Sequence, residues 1–549
     1  MEHYWVLLLP LAICFCASCQ AADENAGKTP QSTGSAAEEK AVALITALGG
    51  KVERDEGLPG RPVTGVSLAG TGITDSHLAN LKALKGLQNL NLRMTAITDA
   101  GLKELGDFER LQALALGLTR VTDAGLKELK RLRGLKHLDL VGTQITDAGL
   151  KELKRLGGLE RLDLVGTQIT DAGLKELGEI KSLQELYLSN TRITDAGLKE
   201  LQRLGGLKHL DLLETQITDA GLKELGEIKS LQELYLSNTR ITDAGLKELA
   251  GLKNLRDLDL AGTRITDAGL KNLAELKGLR SLRLDFTSVT GAGLKSLATL
   301  GNLRVLGLGH LRGTGITNAG LKDLGVLSGL ETLALIGASI NDDGLKDLGE
   351  LKGLKNLDLG WCYGVADAGL KVLGEIKSLE ALNLCDTRIT DAGLKELKKL
   401  PNLQALALGS TAVTDAGLKQ LGEFPGLHML DLSHAAVTDA GLTELRGLKN
   451  LRNLGLKGTK ITDAGLNVIG NMPSLQDLDL TSTAVTDAGL KELKALKGLQ
   501  SLMLPGTKVT ATGLKELRTA LPLVGIVGND FLGPEKTISD LAGEPVTPR

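Results

Sequence analysis

Aromatic rings are nearly missing: Phe, Trp and Tyr make up 2% of the 549 residues. At this length two or three globular cores would be the ordinary expectation, and such cores use large rings to fill irregular gaps. A chain that does without them is filling one small gap many times over. Proline is also thin, at 12 residues. Of five cysteines, Cys14, Cys16 and Cys19 crowd the N-terminus and only Cys362 and Cys385 lie in the body. That excludes a disulfide framework or a zinc site, both of which need more cysteines at closer spacing. A charge surplus is missing too, with 64 basic against 67 acidic residues and a formal net charge of −3. Nucleic-acid binders carry a basic excess to replace phosphate counterions, and no polybasic run marks a membrane surface. Neither partner is expected. What the chain has instead is leucine, glycine and a period.

The N-terminus, MEHYWVLLLPLAICFCASCQAA, has an apolar stretch from Trp5 to Phe15 followed by small residues. This is the pattern of a secretory signal peptide, too short for a membrane span, although Glu2 and His3 stand where Lys or Arg is usual. Three outcomes stay open over residues 1–22: cleavage after Ala21 or Ala22, lipidation at Cys19, or an uncleaved apolar N-terminus. The run Cys16-Ala17-Ser18-Cys19 resembles a bacterial lipobox with cysteine in its usual leucine position. Export is the expectation, to the periplasm, cell envelope or exterior, with no membrane-spanning segment in the mature form. Residues 23–37 are small and polar without period and read as a flexible stalk.

The tetrad Ile97-Thr98-Asp99-Ala100 returns every 24 residues, and related tetrads give nineteen marks from Ile73 to Val509. Two steps are irregular, with three extra residues before Ile316 and one before Val365. These fall in 309–316 and 360–365; insertions in solenoids tend to collect on a working face, and harmless slippage is the equal alternative. In the unit from Ile145, ITDAGLKELKRLGGLERLDLVGTQ, Leu150, Leu153 and Leu156 share one face of a short helix. Asp147 is placed to cap that helix. Leu162 and Leu164 flank Asp163 at strand spacing, and Thr167 marks the turn. One unit cannot bury its own leucines; stacked units share a continuous core.

The pattern LxxLxLxxTxITDAGLKEL resembles the leucine-rich repeat family, over about residues 63–530. It looks most like bacterial members of the cysteine-containing branch seen in F-box substrate receptors, with Thr143, Thr167 and Thr191 in the cysteine position and Cys362 as the lone reversion. The region before the repeats is too short for an F-box, and export contradicts a cytosolic ligase. The resemblance implies an α/β leucine-rich repeat solenoid: a curved horseshoe with a parallel concave sheet and short convex helices. Its inner wall would run on the order of 90 Å. Residues 38–62 read as an N-terminal cap with a helix at Glu38–Leu48, residues 63–520 as the repeats beginning with a strand at Val63–Leu68, and 521–549, including Phe531, as a C-terminal cap and tail.

In such a horseshoe the residue between the two strand leucines faces the concave solvent, giving Asp139, Asp163, Tyr187, Asp211, Tyr235, Asp259 and Arg283 about 5 Å apart on adjacent strands. Like charges in a row need partners, and Arg161, His137, His209, Arg192 and Arg240 share the face. A solvated wall with no ligand is one reading. The rings favour binding. Of the eight aromatics beyond the leader, Phe108 and Phe424 replace core leucines and Phe531 caps, while Tyr187, Tyr235, Phe286, Trp361 and Tyr363 map to the strand or the loop leaving it. Interfaces are rich in such anchors. One qualification is internal duplication, since residues 169–201 recur unchanged at 217–249.

The expected role is a non-catalytic scaffold binding a protein or peptide, with a basic partner suited to the aspartates. The alternatives are a carbohydrate ligand or a structural envelope spacer. No cofactor or metal is expected. His137 and His209 stand three repeats apart, roughly 15 Å, and no glycine-rich phosphate loop follows a strand. Cys362 and Cys385 sit out of register for a disulfide. Asp139 and Asp163 lie side by side, but nothing in the sequence desolvates either for acid–base work.

Overall fold

The computed structural model describes residues 35–310, 315–522 and 524–528. The leader with Cys19, residues 23–34 of the stalk, and Phe531 lie outside the described residues. Among those described, no helix is long and apolar enough to cross a membrane. They form two compact units. One runs to Val289 and includes Ser296–Leu303; the other holds Thr290–Lys295 and continues from Arg304.

The first unit opens with the helix Ala36–Ala47, capped where Ser35 Oγ accepts the Glu38 amide at 3.2 Å. A strand that sequence periodicity did not suggest, Lys51–Arg54, pairs antiparallel with Val63–Ser67. Arg54 ties it to the helix through Glu38 at 3.0 Å and Glu39 at 3.3 Å. From there every strand is parallel to the next, three residues long from Asn89–Asn91 to Ser281–Arg283. Each central leucine stands opposite the next, Leu90 against Leu114 and onward to Leu282. The second unit repeats the scheme from Val305–Gly307 to Gly525–Val527, after a last helix at Ala511–Ala520.

Five letters of the ITDAGL motif have a side-chain or steric task. Ile145, Leu150, Leu153, Leu162 and Leu164 are fully buried. Thr146 has extended backbone and is the helix cap, its Oγ1 accepting the Ala148 amide at 3.3 Å. Asp147, expected to cap, does something else. Its carboxylate accepts the amide and the hydroxyl of Thr170 in the following repeat, at 2.8 and 2.6 Å. The cap needs only the threonine hydroxyl, which frees the aspartate to clamp neighbouring repeats together. Gly149 makes room for the preceding clamp; a Cβ there would stand 2.4 Å from Asp123 Oδ1. Thr167 Oγ1 donates to the Leu164 carbonyl at 2.5 Å, closing the turn beneath the core.

The helices are tighter than an amphipathic α-helix. Some repeats form seven α-helical residues, as at Asp147–Leu153, while others form four and continue as 3₁₀, as at Asp123–Leu126 and Lys127–Arg131. Leucines three apart suit a helix of three residues per turn. At Gly291, which stands where other repeats have the clamp aspartate, the segment Gly291–Thr299 is 3₁₀ throughout, and a Cβ on Gly291 would come within 2.4 Å of Gly320 Cα. Backbone contact there stands in for the carboxylate.

Candidate functional site

On each short strand of the first unit, the residues flanking the buried leucine line up in two columns. The leading column runs His137, Arg161, Glu185, His209, Glu233, Asp257 and Ser281. The trailing column runs Asp139, Asp163, Tyr187, Asp211, Tyr235, Asp259 and Arg283. These seven are the row picked out by sequence, and they lie side by side.

The aspartates are not a free acidic row. Asp139, Asp163, Asp211 and Asp259 each turn an oxygen back to accept the amide two residues on, at 2.9, 3.1, 3.0 and 2.9 Å. That bond makes an Asx turn and directs the chain off the strand. Asp139 is only 5% exposed, and Arg93 Nε from two strands away lies 2.9 Å from its other oxygen. The pair passes over Gly117, where a Cβ would come within 2.9 Å of Arg93. Burial pushes the Asp139 carboxyl up. It pushes Asp163 up to about 6, with the neighbouring Asp139 charge adding to the effect. The expectation that nothing desolvates these two carboxyls is therefore corrected: strand neighbours and the turn remove much of their water. Both shift in the same direction for the same reason, whereas acid–base pairs need environments that diverge. At the far end, Arg283 Nε lies 3.9 Å from Asp259 and 3.6 Å from Asp285.

Between these ends stands a ladder of rings. Tyr187 and His209 have centroids 4.4 Å apart, and His209 and Tyr235 5.1 Å. The Arg161 guanidinium lies 4.4 Å from the Tyr187 centroid, on the preceding strand. A glutamate anchors each step. Glu185 accepts from Arg161 at 2.5 Å and from the Tyr187 hydroxyl at 3.2 Å, and Glu233 meets His209 Nδ1 at 2.7 Å. The His209 hydrogen bond holds Glu233 below the usual carboxylate range, and burial raises both phenols above theirs. Three buried polar atoms, His209 Nε2, Ser189 Oγ and Ser237 Oγ, have no partner within the described residues.

Sequence reasoning named Arg161 and His209 only as counterions for the aspartates, and missed Glu185, Glu233 and Asp257. The signal was the repeated Glu-Leu-Tyr, which puts a carboxylate and a ring on the same strand face. The five rings assigned together also divide. Tyr187 and Tyr235 sit on strands, whereas Phe286, Trp361 and Tyr363 sit on turns leaving strands, with Trp361 and Tyr363 in the second unit. Cys362 and Cys385 are buried free thiols. No cluster of three or more metal-ligating side chains occurs among the described residues.

Family models for leucine-rich repeats match several stretches. A two-copy model covers 229–274, a second model 181–241, and a third 133–154, 159–178, 376–398 and 471–494. No curated protein matches in sequence. Among solved structures, the TLR13–ssRNA13 complex aligns with TM-score 0.52 and 23% identity, over 88% of this chain and 66% of that one. An internalin from Listeria monocytogenes aligns with TM-score 0.44 and 22% identity, over 67% of this chain and 94% of its own. A leucine-rich repeat protein of Leptospira interrogans gives 0.40 and 25%, over 80% and 95%. With leucine stacked on leucine in register and threonine closing most of the turns, the chain folds as a leucine-rich repeat solenoid.

Proposed function

We propose that the first unit is a non-catalytic recognition wall for a protein or peptide partner that presents a basic side chain. The observation that carries this is the ladder Arg161–Tyr187–His209–Tyr235 with its glutamate anchors. Each ring takes a cationic or imidazole group from the preceding strand, bonded to the glutamate of its own strand. The pattern stops after Tyr235, where the next strand brings Asp257 and Asp259. A partner's arginine or lysine completes it, stacked on Tyr235 and paired with Asp257. Such a contact contributes about 0.5–2 kcal/mol. Carboxylates along the wall steer a basic partner and repel phosphate, which sets this reading apart from the RNA named with TLR13.

The leader supports export to the periplasm, cell envelope or exterior, cleaved or lipid-anchored through Cys19. The ITDAGL pattern supports a place in the bacterial cysteine-containing branch. The test is calorimetry with a panel of arginine- and lysine-containing synthetic peptides. Binding that weakens with salt and is lost in Tyr235→Ala supports the proposal. Affinity unchanged in the Tyr187→Ala/Tyr235→Ala double variant excludes it, leaving the spacer reading.

A further inference from the structure

A second surface lies on the turns that leave strands Val305–Gly307, Thr332–Ala334 and Asn356–Asp358 of the second unit. His310, Gly337, Ser339, Asn341, Trp361 and Tyr363 line a groove of about 460 Å³ there, within the ~300–1,000 Å³ common for small-ligand sites. Three successive turns supply left-handed residues, His310 with φ 49°, Gly337 with 69° and Trp361 with 62°. Elsewhere glycine holds this position, as at Gly142 and Gly166, or another residue does, as at Leu118, Asn190 and His434. The left-handed backbone belongs to the repeat, and what marks this place is a pair of rings, His310 and Trp361, on either side of one glycine turn. His310 meets Trp361 edge-on, with centroids 5.3 Å apart and planes at 82°. Gly337 between them keeps the groove open, since a Cβ would stand 3.0 Å from His310 Nδ1.

The single inserted residue of this repeat builds the groove's other side. The turn from Trp361 to Val365 closes on itself, with the Val365 amide donating to the Cys362 carbonyl at 2.9 Å. The buried Cys362 thiol fastens it by donating to the Leu335 carbonyl at 3.2 Å. Trp361 is thereby left 38% exposed and Tyr363 61% exposed. Around the rings are the exposed Ser339 and the exposed Asn341, whose Oδ1 caps the following helix and also accepts from Asn318 Nδ2 at 2.6 Å. None of the described lining residues is Asp, Glu, Lys or Arg.

We propose that this groove binds a neutral saccharide, with one pyranose ring stacked on Trp361 between His310 and Tyr363. The C–H face of a pyranose packs on an aromatic face, and its hydroxyls need neutral donors and acceptors, here Ser339 Oγ and Asn341 Nδ2. A basic peptide finds no carboxylate among these residues, and a purely apolar ligand would leave the polar rim unmatched. The proposal is independent of the strand wall.

The test is calorimetry of the full chain with chitotetraose, cellotetraose and mannotetraose, backed by tryptophan fluorescence. At least one sugar should saturate at millimolar concentration or below and shift the emission. Trp361→Gly should weaken that sugar at least tenfold. Glycine suits the positive φ, so the thermal midpoint should stay at or above wild type. Tyr363→Ala, on a mostly exposed side chain, should fold and bind several-fold more weakly. No saturable binding up to about 10 mM, full affinity in both variants, or Trp361-dependent capture of a peptide but no sugar would overturn the proposal.

Discussion

Between Asp139 and Arg283 the two solvent columns of the first unit carry Glu185, Glu233, Tyr187, Tyr235 and Arg161. The same positions in the second unit carry Val305, Thr332, Ala381 and Ala405 in one column, and Gly307, Ala334 and Ala407 in the other. Yet Asp358, Asn383, Asp431 and Asp479 recur in the second unit's trailing column. Each accepts the amide two residues on, at 2.8–2.9 Å, as Asp139 does. The contrast separates two kinds of residue within one predicted row. Carboxylates common to both units belong to the turn; tyrosines and glutamates found only in the first belong to its surface. Leucine, threonine and the clamp aspartate hold the repeat, and the flanking positions are free to differ.

The largest expected effect tests whether the scaffolds are equivalent. Leu210→Ala and Leu406→Ala remove matching, fully buried strand leucines, and each should cost about 2–5 kcal/mol of local stability. Urea unfolding followed by hydrogen exchange in each unit checks this; clearly unequal costs would break the comparison. Next comes the clamp. Asp195→Ala removes bonds of 2.8 and 2.6 Å to Thr218, and Asp391→Ala removes bonds of 2.8 and 2.7 Å to Thr414. Each variant orphans a backbone amide and should cost about 1.5–3 kcal/mol. The Thr317 amide, which has Gly291 in place of that carboxylate, should exchange faster than those of Thr218 and Thr414. Third, Tyr187→Ala with Tyr235→Ala should weaken a basic peptide at least tenfold, or about 1.4 kcal/mol. Met429→Ala with Met503→Ala, on the second unit's strands, should leave that binding unchanged.

How far the sequence reached follows the same division. Leucine register, threonine turns and parallel strands were legible because the same pattern returns along the chain, mostly at a 24-residue step. The task of Asp147 was not, because a cap and an inter-repeat clamp need the same residue beside the same threonine. Its bonds reach 23 residues forward, into a repeat that the local pattern does not tie to it. Lys51–Arg54 has one strongly apolar residue, and its partner strand and Glu38 hold it rather than its own pattern. The ladder escaped notice because its glutamates precede the tyrosines by two positions, outside the column that the leucine pattern singles out. The ion partner of Asp139, Arg93, comes from two strands away.

The smallest effect is the most specific. Asp139 and Asp163 stand side by side in the first unit. In the second the matching neighbours are Asp358 and Asn383, where the Asn383 amide donates to Asp358 at 2.9 Å. Asp163→Asn makes the first pair resemble the second while keeping an oxygen for the Val165 amide. The folded-state value of about 6 for Asp163 lies above the ~3.9 of an unfolded aspartate. Between those values the folded chain binds more protons, so this group's stability is fully present at low pH and lost as pH rises through 6. The variant should match wild type near pH 4 on this account and gain in thermal midpoint through about pH 6, levelling above about pH 7. Its neutral amide also faces the charged Asp139 at high pH, as Asn383 faces Asp358. A midpoint difference that stays flat across that range would mean that Asp163 titrates as an ordinary surface carboxylate, and that the two neighbouring pairs differ in name only.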